Sequence, residues 1–267
     1  MTVQTLYTAA TGMQSMETKL DVIANNLANV ETTGFKSDRA NFEDLFYRHE
    51  KMPGIQDSAG QYTPTGIQIG LGSRVESVQS NFKQGAFRET GGQLDIAIQG
   101  RGLFQVQDPT GQTYYTRAGN FSVNRDGNIV MGSANTGRLL QPPITIPQDA
   151  TGISISAEGI VTVQQPGNQQ MTQIGQFELA SFVNPQGLLK LGENLYSQTD
   201  GSGPPTLGNP GQDGIGTVQQ NMLEASNVEP VTELIDLITT QRAFELNSQV
   251  IKAGDEIMQN IANLKRY

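Results

Sequence analysis

The chain has 267 residues, enough for one sizeable core or for a small domain with long accessory segments. Its formal charge is -9 with no basic run, which excludes a nucleic-acid partner held by counterion release. Cysteine is absent and His49 is the only histidine, so disulfides, zinc-thiolate sites, thiol nucleophiles and multi-histidine metal sites are excluded together.

Charged residues make up 16% of the chain while glycine alone numbers 30, so solubility rests largely on uncharged polar groups. That balance suits a β-rich chain with many tight turns. The amino terminus has no basic residue before Lys19 and no continuous apolar run, and a cleaved secretory signal is not expected. No stretch approaches the roughly 20 apolar residues of a membrane span.

Residues 1–46 read as the first half of a helical inner domain: Leu6, Ala9, Met13, Met16, Leu20, Ile23, Leu27 and Val30 recur in alternating steps of three and four, a heptad seam. With no proline and only Gly12 inside it, the segment predicts a helix of about 28 residues, roughly 42 Å long, stopped at Gly34. Residues 47–66 carry little pattern and read as an extended loop.

Between residues 67 and 216 the pattern changes to short apolar or alternating runs, among them Leu94 to Ile98, Leu103 to Val106, Ile129 to Met131, Ile160 to Val163 and Phe177 to Phe182. Gly, Pro, Asp and Asn separate them, and they predict antiparallel strands joined by turns. Asp108-Pro109-Thr110-Gly111 and Asn124-Arg125-Asp126-Gly127 are hairpin signals. The Gly- and Pro-rich stretch 201–216 reads as a linker.

Residues 217–267 hold a second predicted helix, starting near Glu229-Pro230. Leu237, Phe244, Ile251 and Met258 repeat every seven, with Val250, Ile257 and Leu264 as an adjacent row. Lys265 and Arg266 fall at its end, where positive charge suits the helix dipole. The fold class is therefore α+β, mainly β: a central domain of short antiparallel strands carried by two long terminal helices that form a coiled-coil-like inner domain. Each buried seam Leu or Ile contributes about 1.5 to 3 kcal/mol, and an unpacked helix of this length is marginal in water. The two helices need partners, either each other or neighbouring copies.

Catalytic constellations fail on inspection. His49 stands in a loop rich in charged residues, as a solvated histidine would. Asn124, Asp126 and Asn128 resemble the start of a calcium loop, but no Glu follows at the required distance. Gly100-Arg101-Gly102 lacks the third glycine and the helix of a dinucleotide site. Glu43 with Asp44, and Asp255 with Glu256, are adjacent in sequence and offer no cleft pair for hydrolysis. No enzymatic activity and no cofactor are expected.

Around the end of the first helix the chain reads Ala24-Asn25-Asn26-Leu27-Ala28-Asn29-Val30, then Glu31-Thr32-Thr33-Gly34-Phe35-Lys36. The second helix contains Gln241-Arg242-Ala243-Phe244-Glu245-Leu246-Asn247-Ser248, preceded by Ala225-Ser226-Asn227-Val228. Between them lie Asp95-Ile96-Ala97-Ile98-Gln99-Gly100 and Gly102-Leu103-Phe104-Gln105-Val106, followed by Tyr115-Thr116-Arg117-Ala118-Gly119-Asn120-Phe121. These three ordered segments resemble the flagellar basal-body rod and hook axial proteins. Glu31 stands where Asn or Ser is usual and Phe244 where Tyr is usual. Chain length, Gln141 to Pro147 and Gly192 to Tyr196 bring the likeness closest to the distal-rod members. In those members the region of Tyr47 to Pro64 is linked to a stiff, straight rod, and the sequence here departs from their versions.

The resemblance implies a structural subunit of the distal rod. Such a subunit assembles helically into a rigid shaft that passes motor torque to the hook and encloses part of the export channel. It implies export without a cleaved signal and a place in the basal body, where the rod crosses the periplasm. The partners implied are copies of the chain, proximal-rod proteins, hook protein, surrounding ring proteins and the export apparatus, with no nucleic acid and no membrane span. The candidate inter-subunit residues are Leu6, Met13, Met16, Leu20, Ile23, Asn25, Asn26, Leu27, Asn29 and Val30 on the first helix, with Gly34 and Phe35 beyond it. On the second they are Leu237, Phe244, Val250, Ile251, Ile257, Met258 and Leu264. The three asparagines are read either as register-setting bonds or as solvated amides, and Phe35 as packing back on the helix.

Overall fold

The computed structural model describes residues 2–54, 56, 60–62, 64–132, 137–166 and 170–264. The chain forms two compact units: residues 1–28, 38–79 and 229–267 make the first, and residues 29–37 and 80–228 the second. Mostly short strands with one helix near each end make it α+β, mainly β.

In the first unit helix α1 spans Thr2–Ala28 and helix α2 spans Pro230–Leu264. Pro230 is tolerated in the opening turn of α2, where its missing N–H has no intrahelical acceptor. α1 ends two residues before the expected Val30 and well before Gly34, because Asn29 starts a turn in which its carbonyl accepts from Thr32 N at 3.2 Å. Two strand pairs complete this unit. Asp38–Asp44 lies beside Ser73–Ser80. Tyr47–Lys51 pairs with Ile67–Gly70, with Tyr47 opposite Gly70 and His49 opposite Gln68. The segment read as a loop from residue 47 therefore opens with a strand, all five of whose residues are exposed. Lys265 and Arg266, expected at the end of α2, lie outside the described residues.

The second unit is built on a nine-stranded antiparallel sheet. Its centre is Leu103–Gln107, which pairs with Thr113–Thr116 on one edge and shares the other between Leu139–Gln141 and Leu179–Ser181. The alternation of this strand explains both cores: Phe104 and Val106 point to one face and Leu103 to the other. On the first face Phe104 meets Phe121 edge-on at 5.0 Å, within a cluster that includes Ile98, Leu140, Val161 and Phe177. On the second, Leu103 joins Tyr115, Ala180, Leu188 and Tyr196, and Phe182 stands edge-on to Tyr115 at 4.8 Å. Both predicted hairpins form. Gly111 N donates to Asp108 O and Gly127 N to Asn124 O, with both glycines at positive φ.

Three sequence expectations need correction. The stretch 201–216 is not a loose linker: Thr206–Gly208 pairs with Leu179–Ser181 as an edge strand, Gly211 N donates to Gly216 O, and Ser202 is buried. Its glycines and prolines shape turns inside the sheet domain. The helical unit also begins later than residue 217, since Thr217–Gln220 pairs with Ile96–Gln99 and Met222–Glu224 with Phe87–Glu89. Residues 29–37, expected with the first helix, belong to this second unit as well.

Candidate functional site

In the first unit α1 and α2 pack as an antiparallel pair. Leu6 lies against Gly254, where an added Cβ would stand 2.6 Å from the Leu6 Cδ2. Gly12 lies against Asn247, where an added Cβ would be 3.1 Å from the amide Nδ2. Near the other end, Asn26 Nδ2 donates to Glu233 Oε1 at 3.1 Å. Asn26 also fixes the chain leaving the helix region, donating to Asp38 O and accepting from Asp38 N, both at 2.8 Å.

Glu233, Thr240, Asn247 and Gly254 recur every seven residues, as do Leu237, Phe244, Ile251 and Met258. Interleaved, the two lines form one seam with steps of four and three. The apolar line was legible in the sequence. The line of Glu, Thr, Asn and Gly was not, because apolar periodicity carries no signal for it, although a small residue admits the close approach and a paired carboxylate sets register. Burial raises the Glu233 carboxyl, Asn26 opposes that rise, Asp236 adds to it and Lys19 opposes it.

Ala9 and Ile23 are buried in this unit, while Leu6, Met13, Met16, Leu20, Leu27, Leu237 and Ile251 are half-buried. Asn25 is exposed; Asn26 is buried and makes the register bonds. Val250, Ile257 and Met258 are exposed, and Phe244 is at the margin of exposure. The Leu264 side chain lies outside the described residues. Val231, Leu234, Ile235, Ile238 and Leu246 are exposed too, and they extend the row of Val250 and Ile257 toward the start of α2, a part that the sequence reading missed.

The motif after α1 is built into the second unit. Gly34, at φ 69, donates its N–H to Glu224 O at 2.8 Å, and an added Cβ would stand 2.7 Å from Ala118 N. It is the residue that lets the loop lie on the Arg117-Ala118 backbone, more than a helix stop. The Phe35 ring lies under Lys190, with Nζ 5.4 Å from the centroid, and Phe35 O accepts from Asn227 N, which ties the residue into the β unit. Asn29 accepts from Thr32 Oγ1 at 3.1 Å, and Val30 is half-buried.

Next to Gly34 and Phe35 is a buried charge cluster that no motif reading identified. Lys36 Nζ donates to Glu224 Oε1 at 2.6 Å and to Lys83 O at 2.9 Å. Arg117 Nε donates to Glu224 Oε2 at 2.5 Å, and its other nitrogens donate to Ile98 O, Gly100 O and Gly102 O. Gly85 N completes the shell of Glu224 at 2.9 Å. Burial alone would raise the Glu224 carboxyl; Arg117 and Lys36 outweigh it and hold the group below its ordinary value. Burial pulls the Lys36 ammonium down against the attraction of Glu224.

Three family models match the chain, one in each of the regions just described. Residues 6–36 match the flagella basal body rod protein model, 97–163 the flagellar hook protein FlgE/F/G D1 domain, and 219–264 the flagellar basal body rod FlgEFG protein C-terminal region. The chain is 46% identical over 263 residues to the flagellar basal-body rod protein FlgG of Caulobacter vibrioides, covering 98% of this chain and 99% of that one. With FlgG of Agrobacterium fabrum the identity is 47% over 259 residues, covering 96% and 98%.

The chain belongs to the FlgG family of flagellar basal-body rod proteins.

FlgG of Borreliella burgdorferi is also similar, at 39% over 263 residues covering 98% of each chain. FlgF of Caulobacter vibrioides is more distant at 34% over 263 residues, covering 98% of this chain and 94% of that one. As a FlgG-family member the chain is a structural subunit of the rod in the basal body and not an enzyme. No helix among the described residues is long and apolar enough to cross a membrane.

Proposed function

We propose that the helix pair of the first unit is the assembly interface of the distal rod, completed by the helices of neighbouring copies of the chain. The carrying observation is the apolar row on α2, with Val231, Ile235, Ile238, Val250 and Ile257 all exposed. Covering a row of this kind removes apolar surface from water at about 25 cal/mol per Å². Head-to-tail contacts that do not close produce an open helical shaft. The exposed row and the half-buried seam residues Leu6, Met13, Met16, Leu20 and Leu27 are then the contact set. Asn26 sets the register within the chain, and Gly34 and Phe35 act through the β unit.

In this reading the rod crosses the periplasm, encloses part of the export channel and passes torque from the motor to the hook. Its subunits leave the cytoplasm without a cleaved signal. Proximal-rod proteins, hook protein, ring proteins and the export apparatus are its further contacts, and the Tyr47–Lys51 ribbon with its continuation to residue 64 contributes to stiffness.

The test is Ile235→Asp with Ile257→Asp, two exposed positions whose change leaves each unit's own packing intact. The expected result is loss of rods and of swimming, with the isolated chain melting as before. Normal rods carrying the double variant would overturn the assignment of this face.

A further inference from the structure

The chain passes between the two units after residues 28, 37, 79 and 228. On the side of the second unit, three of these passages are tied to one another within two residues of the crossing. Asn81 N donates to Ser37 O at 2.8 Å, Ser37 N donates to Asn227 Oδ1 at 2.7 Å, and Asn227 Nδ2 donates to Asn81 O at 2.7 Å. The three bonds close a ring through Ser37, Asn81 and Asn227, segments separated by up to 190 residues in sequence. Immediately behind it, Glu224 joins Lys36 and Arg117, and Arg117 is anchored on the carbonyls of Ile98, Gly100 and Gly102 in the sheet domain.

Stability alone is a poor reason for this arrangement. Taking two cations and one carboxylate out of water is costly, and well-packed apolar side chains of similar volume generally give as much stability as a buried ion cluster. What the ions and the asparagine supply that apolar groups cannot is directional, short bonds joining segments at fixed points. Gly34 N donates to Glu224 O and Asn227 N to Phe35 O, so the two segments run side by side in the same direction toward their exits at 37 and 228. Tension arriving at either exit is shared with the other and with Asn81 before it reaches the sheet.

We infer that the Ser37–Asn81–Asn227 ring and the Lys36–Glu224–Arg117 cluster behind it form a mechanical clamp that keeps the ends of the second unit together under load. The purpose of the clamp rests on the rod reading, since a torque-carrying shaft loads every subunit. Its existence is a property of the single chain and is measured there.

The absence of native cysteine allows unique handles at Gln241→Cys on α2 and Arg125→Cys in the sheet domain of the full chain. Under constant force the second unit is recognised by a contour gain of about 350 Å, the extended length of the chain between residues 125 and 227. Asn227→Ala and Lys36→Met are compared with Val163→Ala, a buried core position in another sheet, after thermal melts have ranked the three by stability loss. The clamp predicts that Asn227→Ala and Lys36→Met shorten the lifetime of the unit under force about tenfold more than the control does for the same loss in Tm. Lifetimes that follow Tm alone, with no excess for the clamp positions, would overturn it. If Lys36→Met does not fold, Asn227→Ala carries the same comparison. Failure of the rod reading would appear separately, as absence of the unaltered chain from rods, and would leave the force result standing.

Discussion

The two units of this chain solve the problem of stability in opposite ways. Among the described residues, only Ala9 and Ile23 of the buried apolar side chains lie in the first unit, and the others lie in the second. The second unit closes over two cores on the faces of one sheet and buries its charges in a bonded cluster. The first pairs two long helices along a seam half of which is Glu, Thr, Asn and Gly, and leaves an apolar row of α2 in water.

The largest consequence is in local stability, since opening free energies follow buried apolar contact. In the free subunit, amides of α1 and α2 are expected to exchange about a thousandfold faster than those of the Leu103–Gln107 and Leu179–Ser181 strands, a gap of about 4 kcal/mol. Hydrogen exchange resolved by mass spectrometry checks it. Equal protection in helices and strands would mean that the pair is self-sufficient and would remove the main reason for assigning it to assembly.

A smaller effect sharpens the boundary between the units. Gly34 follows α1 in the sequence but belongs to the β unit, with a positive φ and no room for a Cβ above the Arg117-Ala118 backbone. Gly34→Ala combines a left-handed backbone penalty with overpacking, together about 2 to 4 kcal/mol. The loss is expected in the urea midpoint of the β unit, with the helical signal of the isolated chain little changed. A variant that weakens the helices and spares the β unit would return Gly34 to the role of a helix stop.

How far the sequence discloses this division depends on which physical signal a residue carries. The helices, most of the strands and both hairpins were legible because apolar period and turn chemistry are local. The α1 seam was legible from Leu6 to Leu27, although Val30, read as its last member, lies in the turn beyond the helix, and the α2 seam was legible by half. Leu237, Phe244, Ile251 and Met258 announce themselves, whereas Gly254 means something only once Leu6 is found beside it. The Lys36–Glu224–Arg117 cluster was invisible, since its members are separated by 188 and 107 residues and none is unusual alone. The stretch 201–216 misled because glycine and proline serve tight turns in a sheet as readily as they loosen a linker. The motif around Gly34 was recognised by likeness to a family, and its physical reason, the close approach to Ala118, became visible only in three dimensions.

The smallest effect is also the one in which the units should move in opposite directions. Burial raises Glu233 in the helix pair above its ordinary value of 4.5, so the folded pair takes up a proton before the unfolded chain does. As pH falls toward 4.5 from above, the first unit therefore gains stability. Glu224 in the β unit is held below 4.5 by Arg117 and Lys36 despite its burial, so the unfolded chain is protonated first. Stability from Glu224 is complete above 4.5 and is lost as pH drops through its lowered folded value. Hydrogen exchange corrected for intrinsic rates, followed from neutral pH downward, is expected to show α1 and α2 amides slowing first and the sheet amides quickening afterward. Glu233→Gln should flatten the first slope and Glu224→Gln the second, each without altering the other. Slopes of one sign in both units would show that the two carboxylates do not report on separately stabilised parts of the chain, and the division itself would fail with them.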